Sequence, residues 1–383
     1  MRIMLYSQHV LGIGHFFRSM EIARALDRHE ILFVEGGDPL PGFVPPAHVR
    51  RFILPSIMMD ADFKALEIQE GTLQETKLTR RRMLMEAFRD FAPHVLLTEL
   101  FPFGRKQFRF ELEPLLEKIQ QEKRRTKVVC SLRDILVEKK DQAAYEQGVL
   151  ALLNRYYDLL LVHSDPHLIP LEESFERIHE IRIPVRYTGF VVRDSEPQRR
   201  KSGAEKIIVA SSGGGKVGRD LLAATIQAVQ KLTSVNLQLR VFTGPFMEEA
   251  DRELLSALAA EDSRVQLFPF SLDFLQELAE ADLSISMAGY NTCMDILSTG
   301  IRALVHPFPQ NREQALRAGK LAGLGRLRIL PSLDVSTLSG CIAEELDGGG
   351  ITAPTGIDLQ GKANTARWIE AFFEKGKCTS RFP

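Results

Sequence analysis

The chain has 383 residues, more than one hydrophobic core usually organises, so two domains are expected. Its 44% hydrophobic and 26% charged residues are ordinary for a globular protein, and a formal net charge of -1 gives no basis for a nucleic-acid partner. The cysteines at 130, 293, 341 and 378 show no CxxC and no zinc-type spacing, which fits reduced thiols in a cytoplasmic protein.

In the first half, strands are predicted at 2–6, 30–35, 94–99, 127–131 and 158–163. In the second half they fall at 206–210, 238–243, 265–268, 283–286 and 303–306. Amphipathic helices are expected at 16–26, with apolar residues at 16, 20, 23 and 26, and at 221–232. This alternation of strand and helix predicts an α/β protein with one parallel sheet per half, each covered by helices on both faces. The polar segment 193–205, with Pro197 and Gly203, reads as a linker. The expected domains are therefore 1–195 and 203–365, with an end helix at 366–383 that packs back on the first domain. Residues 56–90 show no clear strand and read as one or two helices. Met58, Met59 and Phe63 in that insert would wall an acceptor site or pack ordinarily on the first sheet.

The amino terminus runs straight into a strand, unlike a signal peptide. No stretch of about 18 apolar residues occurs, so no spanning helix is expected, although peripheral membrane contact stays open. Phe16, Phe17 and Arg18 are the one hint of such contact, against a reading of both rings as helix core.

Two glycine-rich turns each lead from a strand into a helix: Gly12-Ile13-Gly14-His15 and Ser211-Ser212-Gly213-Gly214-Gly215. Glycine permits a sharp turn and close ligand approach, and the following helix start favours an anion such as phosphate. In open α/β sheets, ligands bind beyond the carboxyl ends of the strands. In the first half those ends carry His9, His15, Glu35, Asp38, Glu99, Arg105, Asp134 and His163, a set suited to proton chemistry. Of these, His15 is the candidate general base, and Glu99, Asp134 and His163 are further proton-transfer candidates. A helix start should lower the His15 pKa and keep the ring neutral. Phe101 and Phe103 would stack on an acceptor ring and Arg105 would pair with an anion, or else Arg105 pairs with Glu99 and the rings are core. The first turn lacks the third glycine of GxGxxG, so Asp38 and Glu35 make a weak case for a nicotinamide cofactor.

The second half offers small and amide groups, suited to holding a phosphorylated ligand. Gly289, Tyr290, Asn291 and Thr292 open a helix after strand 283–286 and would present amides to a diphosphate. Asp295 would accept from a ribose diol, or be a solvent-facing helix acid. Gln310, Asn311, Glu313 and Gln314, at the next strand end, would hold sugar hydroxyls. Phe270 and Met287 stand at neighbouring strand ends and complete the donor set with Gly14, Ser212, Gly213, Gly214 and Gly215. The only Asp-x-Asp pair, Asp60 and Asp62, lies off any clear strand, so no metal site is expected.

On these residues the chain resembles the MurG-like family of peptidoglycan N-acetylglucosaminyltransferases that make lipid II. It also resembles their relatives, among them the UDP-sugar hydrolase of pseudaminic acid synthesis. The resemblance runs nearly the full length and is strongest over 12–15, 211–215 and 286–314. It implies a GT-B fold: two Rossmann-like domains with parallel sheets facing a central cleft, the donor held mainly by the second. It also implies a metal-free, cofactor-free mechanism, with a nucleotide sugar as substrate. Gly213 and Gly214 match the turn beneath the diphosphate, and His15 the histidine of the GxGH turn. Asp295 stands where the family usually places a ribose-binding Glu, and Glu313-Gln314 where it more often has Gln-Gln, which leaves the sugar open.

The sequence therefore predicts an inverting glycosyltransferase that moves a sugar from a UDP-sugar to an acceptor hydroxyl. A nucleotide-sugar hydrolase or hydrolysing epimerase is the alternative, since GxGHxxR serves water activation equally well. A catalytically idle binding module is the third reading.

Overall fold

The structure is a computed structural model that describes residues 1–8, 14–37, 42–59, 66–68, 71–122, 126–193, 203, 205–348 and 356–378. The chain divides into two compact units, Arg193–Ile357 and the remainder on either side of it. His9, Gly12, Asp38, Asp60, Asp62, Phe63 and most of the expected linker lie outside the described residues.

The first unit is built on β1 (Arg2–Tyr6), α1 (Gly14–Ala25), β2 (Glu30–Gly36), β3 (Val49–Leu54), β4 (Ile57–Met59), β5 (Leu66–Ile68) and α2 (Leu73–Phe91). It continues through β6 (Val95–Glu99), α3 (Arg109–Gln121), β7 (Lys127–Arg133), α4 (Gln142–Tyr156), β8 (Leu159–His163) and β9 (Val185–Tyr187). Seven strands form a parallel sheet in the order β3-β2-β1-β6-β7-β8-β9. The inner strands are near-continuous apolar runs because helices cover both faces. Ile3, Met4, Leu5, Leu96, Leu97, Val128 and Leu160 are all buried.

The insert holds one of the expected one or two helices, α2, but also strands that were not expected there. It holds a short antiparallel pair, β4 with β5, followed by α2. Thr72 caps α2 in a reciprocal box with Glu75, and Leu84, Ala87, Phe88 and Phe91 turn one face to the core. Met58 is buried, in keeping with ordinary packing.

Across that core lies a buried polar knot. Arg80 of α2 donates through Nε to Glu111 Oε2 (3.0 Å), and through Nη2 to Glu111 Oε1 (2.6 Å) and Gln8 Oε1 (2.9 Å). Its Nη1 donates to the Pro55 carbonyl (2.6 Å), and the Tyr6 hydroxyl donates to Glu111. Gly36 leaves room for it, because a Cβ there would press on Gln8 Oε1 and Arg80 Nη1 and displace the bonds they make.

The second unit comprises β10 (Lys206–Ser211), α5 (Arg219–Lys231), β11 (Leu237–Phe242), α6 (Glu249–Ala260), β12 (Val265–Phe268), α7 (Phe274–Glu280) and β13 (Leu283–Ser286). After these come α8 (Tyr290–Thr299), β14 (Arg302–Val305), α9 (Arg312–Gly323), β15 (Arg328–Ile329) and α10 (Val335–Asp347). Its six strands are parallel in the order β12-β11-β10-β13-β14-β15.

The last helix, α11 (Gly361–Cys378), belongs to the first unit, which the chain rejoins at Asp358. The sequence-based division extended the second domain to 365. The earlier return is fixed by backbone ties: Asp358 N–H donates to Asp165 (3.0 Å), Phe190 N–H to the Asp358 carbonyl (2.7 Å), and Gly361 N–H to the Phe190 carbonyl (3.0 Å). Among the described residues no helix is long and apolar enough to cross a membrane.

Candidate functional site

In each unit the chain builds outward on one side of the first strand and then resumes on the other. The switch points are thus β1/β6 in the first unit and β10/β13 in the second, where crevices open at the carboxyl ends of open α/β sheets. Gly14 and His15, the described part of the first glycine-rich turn, stand at one of these places and the turn 211–215 at the other.

In the first unit, α1 begins at Gly14, so His15 occupies its first turn, and Glu99 is the last residue of β6. Because β1 pairs with β6, these ends are neighbours and His15 meets Glu99 across 84 positions of sequence. His15 Nδ1 lies 2.6 Å from Glu99 Oε1. A carboxylate can only accept, and the Glu99 contact is much shorter than that of the Arg18 Nη2 donor to the same nitrogen (3.2 Å), which favours the proton on Nδ1 and the lone pair on Nε2. Glu99 is 1% exposed while the His15 side chain is 18% exposed, leaving the imidazole within reach of a substrate.

Arg18, one turn along α1, donates to the same Glu99 oxygen, and Arg105 Nε stands 3.9 Å from Oε2. Burial alone would raise Glu99, but His15, Arg18 and Arg105 outweigh it and hold the carboxyl well below the usual carboxylate range. Burial drives His15 below its ordinary 6.5 against the opposing pull of Glu99, with Arg105 and Arg18 adding to the fall. The pair therefore stands as an ionised carboxylate orienting a neutral imidazole, the arrangement of a general base with its orienting group.

A pH profile should show this directly. The basic form of His15 exists above its pKa, so kcat/KM should stay level from pH 8 down through 6.5 and fall only well below it. An acid limb centred at 6.5 or higher would contradict the buried neutral ring.

His163 is placed differently. It is fully buried, with Nε2 2.6 Å from Ser131 Oγ and Nδ1 2.9 Å from Thr188 Oγ1, so both ring nitrogens serve the fold. Asp134 is also fully buried and accepts from Ile135 N–H. The reading of Phe101 and Phe103 as acceptor-stacking rings is corrected: both are core residues, and Phe103 packs edge-on against Phe175. Phe16 is likewise core, set against Phe33 and Phe43.

In the second unit, α5 starts only at Arg219, capped by Gly218, so residues 212–217 form a free-standing loop rather than the helix start itself. That loop lies on the one after β11. Ser212 Oγ donates to the Thr243 carbonyl (2.6 Å) and Phe246 N–H to the Gly214 carbonyl (3.0 Å). A Cβ on Gly244 would sit 2.5 Å from the Gly213 oxygen, and one on Gly215 2.6 Å from the Thr243 oxygen. The two loops touch backbone to backbone, which only glycine allows at positive φ. Gly213 is exposed with open space where a side chain would be.

The paired strands β10 and β13 bring this loop beside Met287 and the start of α8, where a Cβ on Gly218 would lie 3.2 Å from Met287 Cε. Gly289 caps α8 without a side chain, no acid stands in its first turn, and Asn291 and Thr292 are partly buried there. The first-turn amides of a helix have no intrahelical acceptors, so this end suits an anion.

Other donor-site candidates serve the local fold. Asp295 is 2% exposed, and its Oδ2 lies 3.1 Å from Arg193 Nη2, so the carboxylate is enclosed in an ion pair instead of facing a diol. Asn311 caps α9 by accepting from Gln314 N–H (3.2 Å), and Gln314 Oε1 accepts from Phe308 N–H (3.0 Å). Glu313 is buried, Gln310 is exposed, and Phe270 is partly buried. Tyr290 is buried beneath the Arg317 guanidinium, 5.6 Å from its ring. Sequence reasoning missed the supporting role of Gly218 and Gly244; a glycine two residues after β11 was the available signal. Among the described residues no three His, Cys, Asp or Glu gather as metal ligands.

The two parallel-sheet units define the chain as a GT-B protein. It superposes on the calicheamicin glycosyltransferase CalG4 with a TM-score of 0.62, 16% identity and 98% of each chain covered. For the Acinetobacter baumannii MurG the values are 0.57 and 16%, over 97% of this chain and all of that one. A putative UDP-N-acetylglucosamine 2-epimerase from Listeria monocytogenes gives 0.64 at 14% identity, over all of this chain and 98% of that one.

Residues 212–343, which lie within the second unit, match the model of the glycosyltransferase family 28 C-terminal domain. Curated relatives are UDP-N-acetylglucosamine–N-acetylmuramyl-(pentapeptide) pyrophosphoryl-undecaprenol N-acetylglucosamine transferases. The one from Rubrobacter xylanophilus is 25% identical over 177 residues, 45% of this chain and 50% of the relative. The one from Rhizobium etli is 26% identical over 126 residues, 32% of this chain and 34% of the relative. The matched part thus spans between a third and a half of those relatives.

Proposed function

We propose that the protein is a glycosyltransferase that moves a sugar from a UDP-sugar to an acceptor hydroxyl, by inversion and without a metal or cofactor. The observation that carries this reading is the His15–Glu99 pair at the β1/β6 switch point, in a chain whose second unit matches the family 28 domain. His15 Nε2 takes the proton of the acceptor hydroxyl. The oxygen attacks the anomeric carbon as the bond to the nucleoside diphosphate breaks on the opposite face. Loop 212–217 and the α8 start hold that diphosphate, their amides stabilising the charge that develops on it. Asp295, already paired with Arg193, has no part in this scheme.

Thermal shift against UDP-, GDP- and dTDP-sugars tests the donor. A ligand at about 100 times its Kd adds about 2.7 kcal/mol, which should move the second unit's transition by roughly 5–10 °C for a UDP-sugar. No shift with any nucleotide sugar would overturn the reading. Water bound to His15 Nε2 would react in the same way as an acceptor, so the hydrolase alternative is tested with a UDP-sugar alone. Fast release of free sugar and UDP without acceptor would favour hydrolysis.

A further inference from the structure

We propose that Arg105 is an oxyanion ligand beside the catalytic base, selecting an acceptor that carries a carboxylate or phosphate near its reacting hydroxyl. The acceptor part of this statement rests on the transfer reading above; the anion site itself does not.

Arg105 ends the loop that follows β6, and that loop is held hard in place. Phe101 and Phe103 are core residues. The Phe101 carbonyl accepts from Thr98 Oγ1 (3.0 Å) and from the Tyr157 hydroxyl (3.0 Å), and the Phe103 carbonyl from the Tyr145 hydroxyl (2.7 Å). Leu100 (φ 67°) and Arg105 (φ 59°) both adopt the left-handed conformation that side chains avoid. Gly104 permits this, since a Cβ there would lie 2.6 Å from Leu100 Cδ2. Such conformations persist where the surroundings over-determine them, and they gather at functional sites.

The side chain placed by this loop is 8% exposed, and its Nε and Nη2 are buried with no hydrogen-bond partner among the described residues. Among the described residues Glu99 is its one nearby carboxylate, and the two form an ion pair, as one reading of the sequence expected; but Oε1 is taken by His15 and Arg18, and Oε2 at 3.9 Å from Arg105 Nε is too far for a hydrogen bond. Buried donors left unmade are costly, and a buried guanidinium more so. The planar fork of arginine matches two oxygens of one carboxylate or phosphate, which would satisfy both nitrogens at once. Substrate binding would then complete the site.

The test follows the His15 ring resonances of the full chain, labelled with 15N-histidine and assigned with His15→Asn. Sodium phosphate and, separately, sodium malonate are titrated at ionic strength held constant with chloride. A saturable shift is expected in the unaltered protein, and the anion that saturates at lower concentration names the group. In Arg105→Gln the apparent Kd should rise about tenfold or more, with only part of the loss restored in Arg105→Lys, which keeps the charge but not the fork. Absence of a saturable shift with either anion, or equal binding in Arg105→Gln, would overturn the proposal. Should Arg105→Gln fail to fold, the unaltered protein and Arg105→Lys decide it: a saturable shift in both upholds the site, and none overturns it. UDP is titrated in parallel and is expected to bind all variants alike. Failure of UDP to bind would count against the transfer reading while leaving the Arg105 result intact.

Discussion

Replacement of His15 by alanine is expected to lower kcat by roughly a hundred- to ten-thousand-fold while leaving KM for the nucleotide sugar within about twofold. The split follows from the division of labour we propose, in which the imidazole would touch only the acceptor proton and the donor would be held by loop 212–217 and the α8 start. The substitution should be structurally mild, because it removes a neutral ring and leaves Glu99 still paired with Arg18. Circular dichroism and the melting transition should therefore match those of the unaltered chain. Steady-state kinetics with the donor found by thermal shift provides the measurement. A kcat within a few-fold of the original would remove His15 from the chemistry and favour the idle binding module.

The largest stability effect is expected from Arg80→Met. Arg80 and Glu111 are both fully buried, and Arg80 supplies two of the bonds that neutralise Glu111. Removing one partner of a buried pair leaves an uncompensated charge and typically costs about 3–5 kcal/mol. For a unit of this size that lowers the first unit's Tm by roughly 6–20 °C. The double variant Arg80→Met/Glu111→Gln should recover part of the loss, since it removes the stranded charge along with its partner. Calorimetry resolves the transitions, which a two-unit chain need not share. A drop under about 2 °C for the single variant would show the knot to be energetically idle.

Much of the architecture was legible because buried parallel strands are apolar runs and helices carry one apolar face. The runs at 2–6 and 206–210 became β1 and β10 with little change of bounds. The missed strands have physical reasons. β3 reads Val-Arg-Arg-Phe-Ile-Leu and lies at the sheet edge, where half its surface meets solvent and arginines are tolerated. β9 and β15 have only three and two residues, too few for any periodicity, and β4 and β5 have three each.

The glycine turns were readable since glycine punctuates strand ends. The meeting of His15 with Glu99 was not, because it depends on β6 crossing back to pair with β1, a fact of strand order. Similarly, nothing in the spacing of Asp295 announces Arg193 as its partner. The exposed helix acid and the buried ion pair look alike until the fold is known.

The return of α11 to the first unit bears on how the molecule is made. Lys362 reaches Glu21 on α1 (3.5 Å), Glu370 meets His29 (3.0 Å), and Asn364 donates to the Thr188 carbonyl (2.7 Å). A ribosome releases these residues only after the whole of Arg193–Ile357 has emerged. The unit whose synthesis starts first is therefore finished second, and its nascent form waits with the α1 surface uncovered while the inserted unit, one continuous stretch, is free to fold ahead of it.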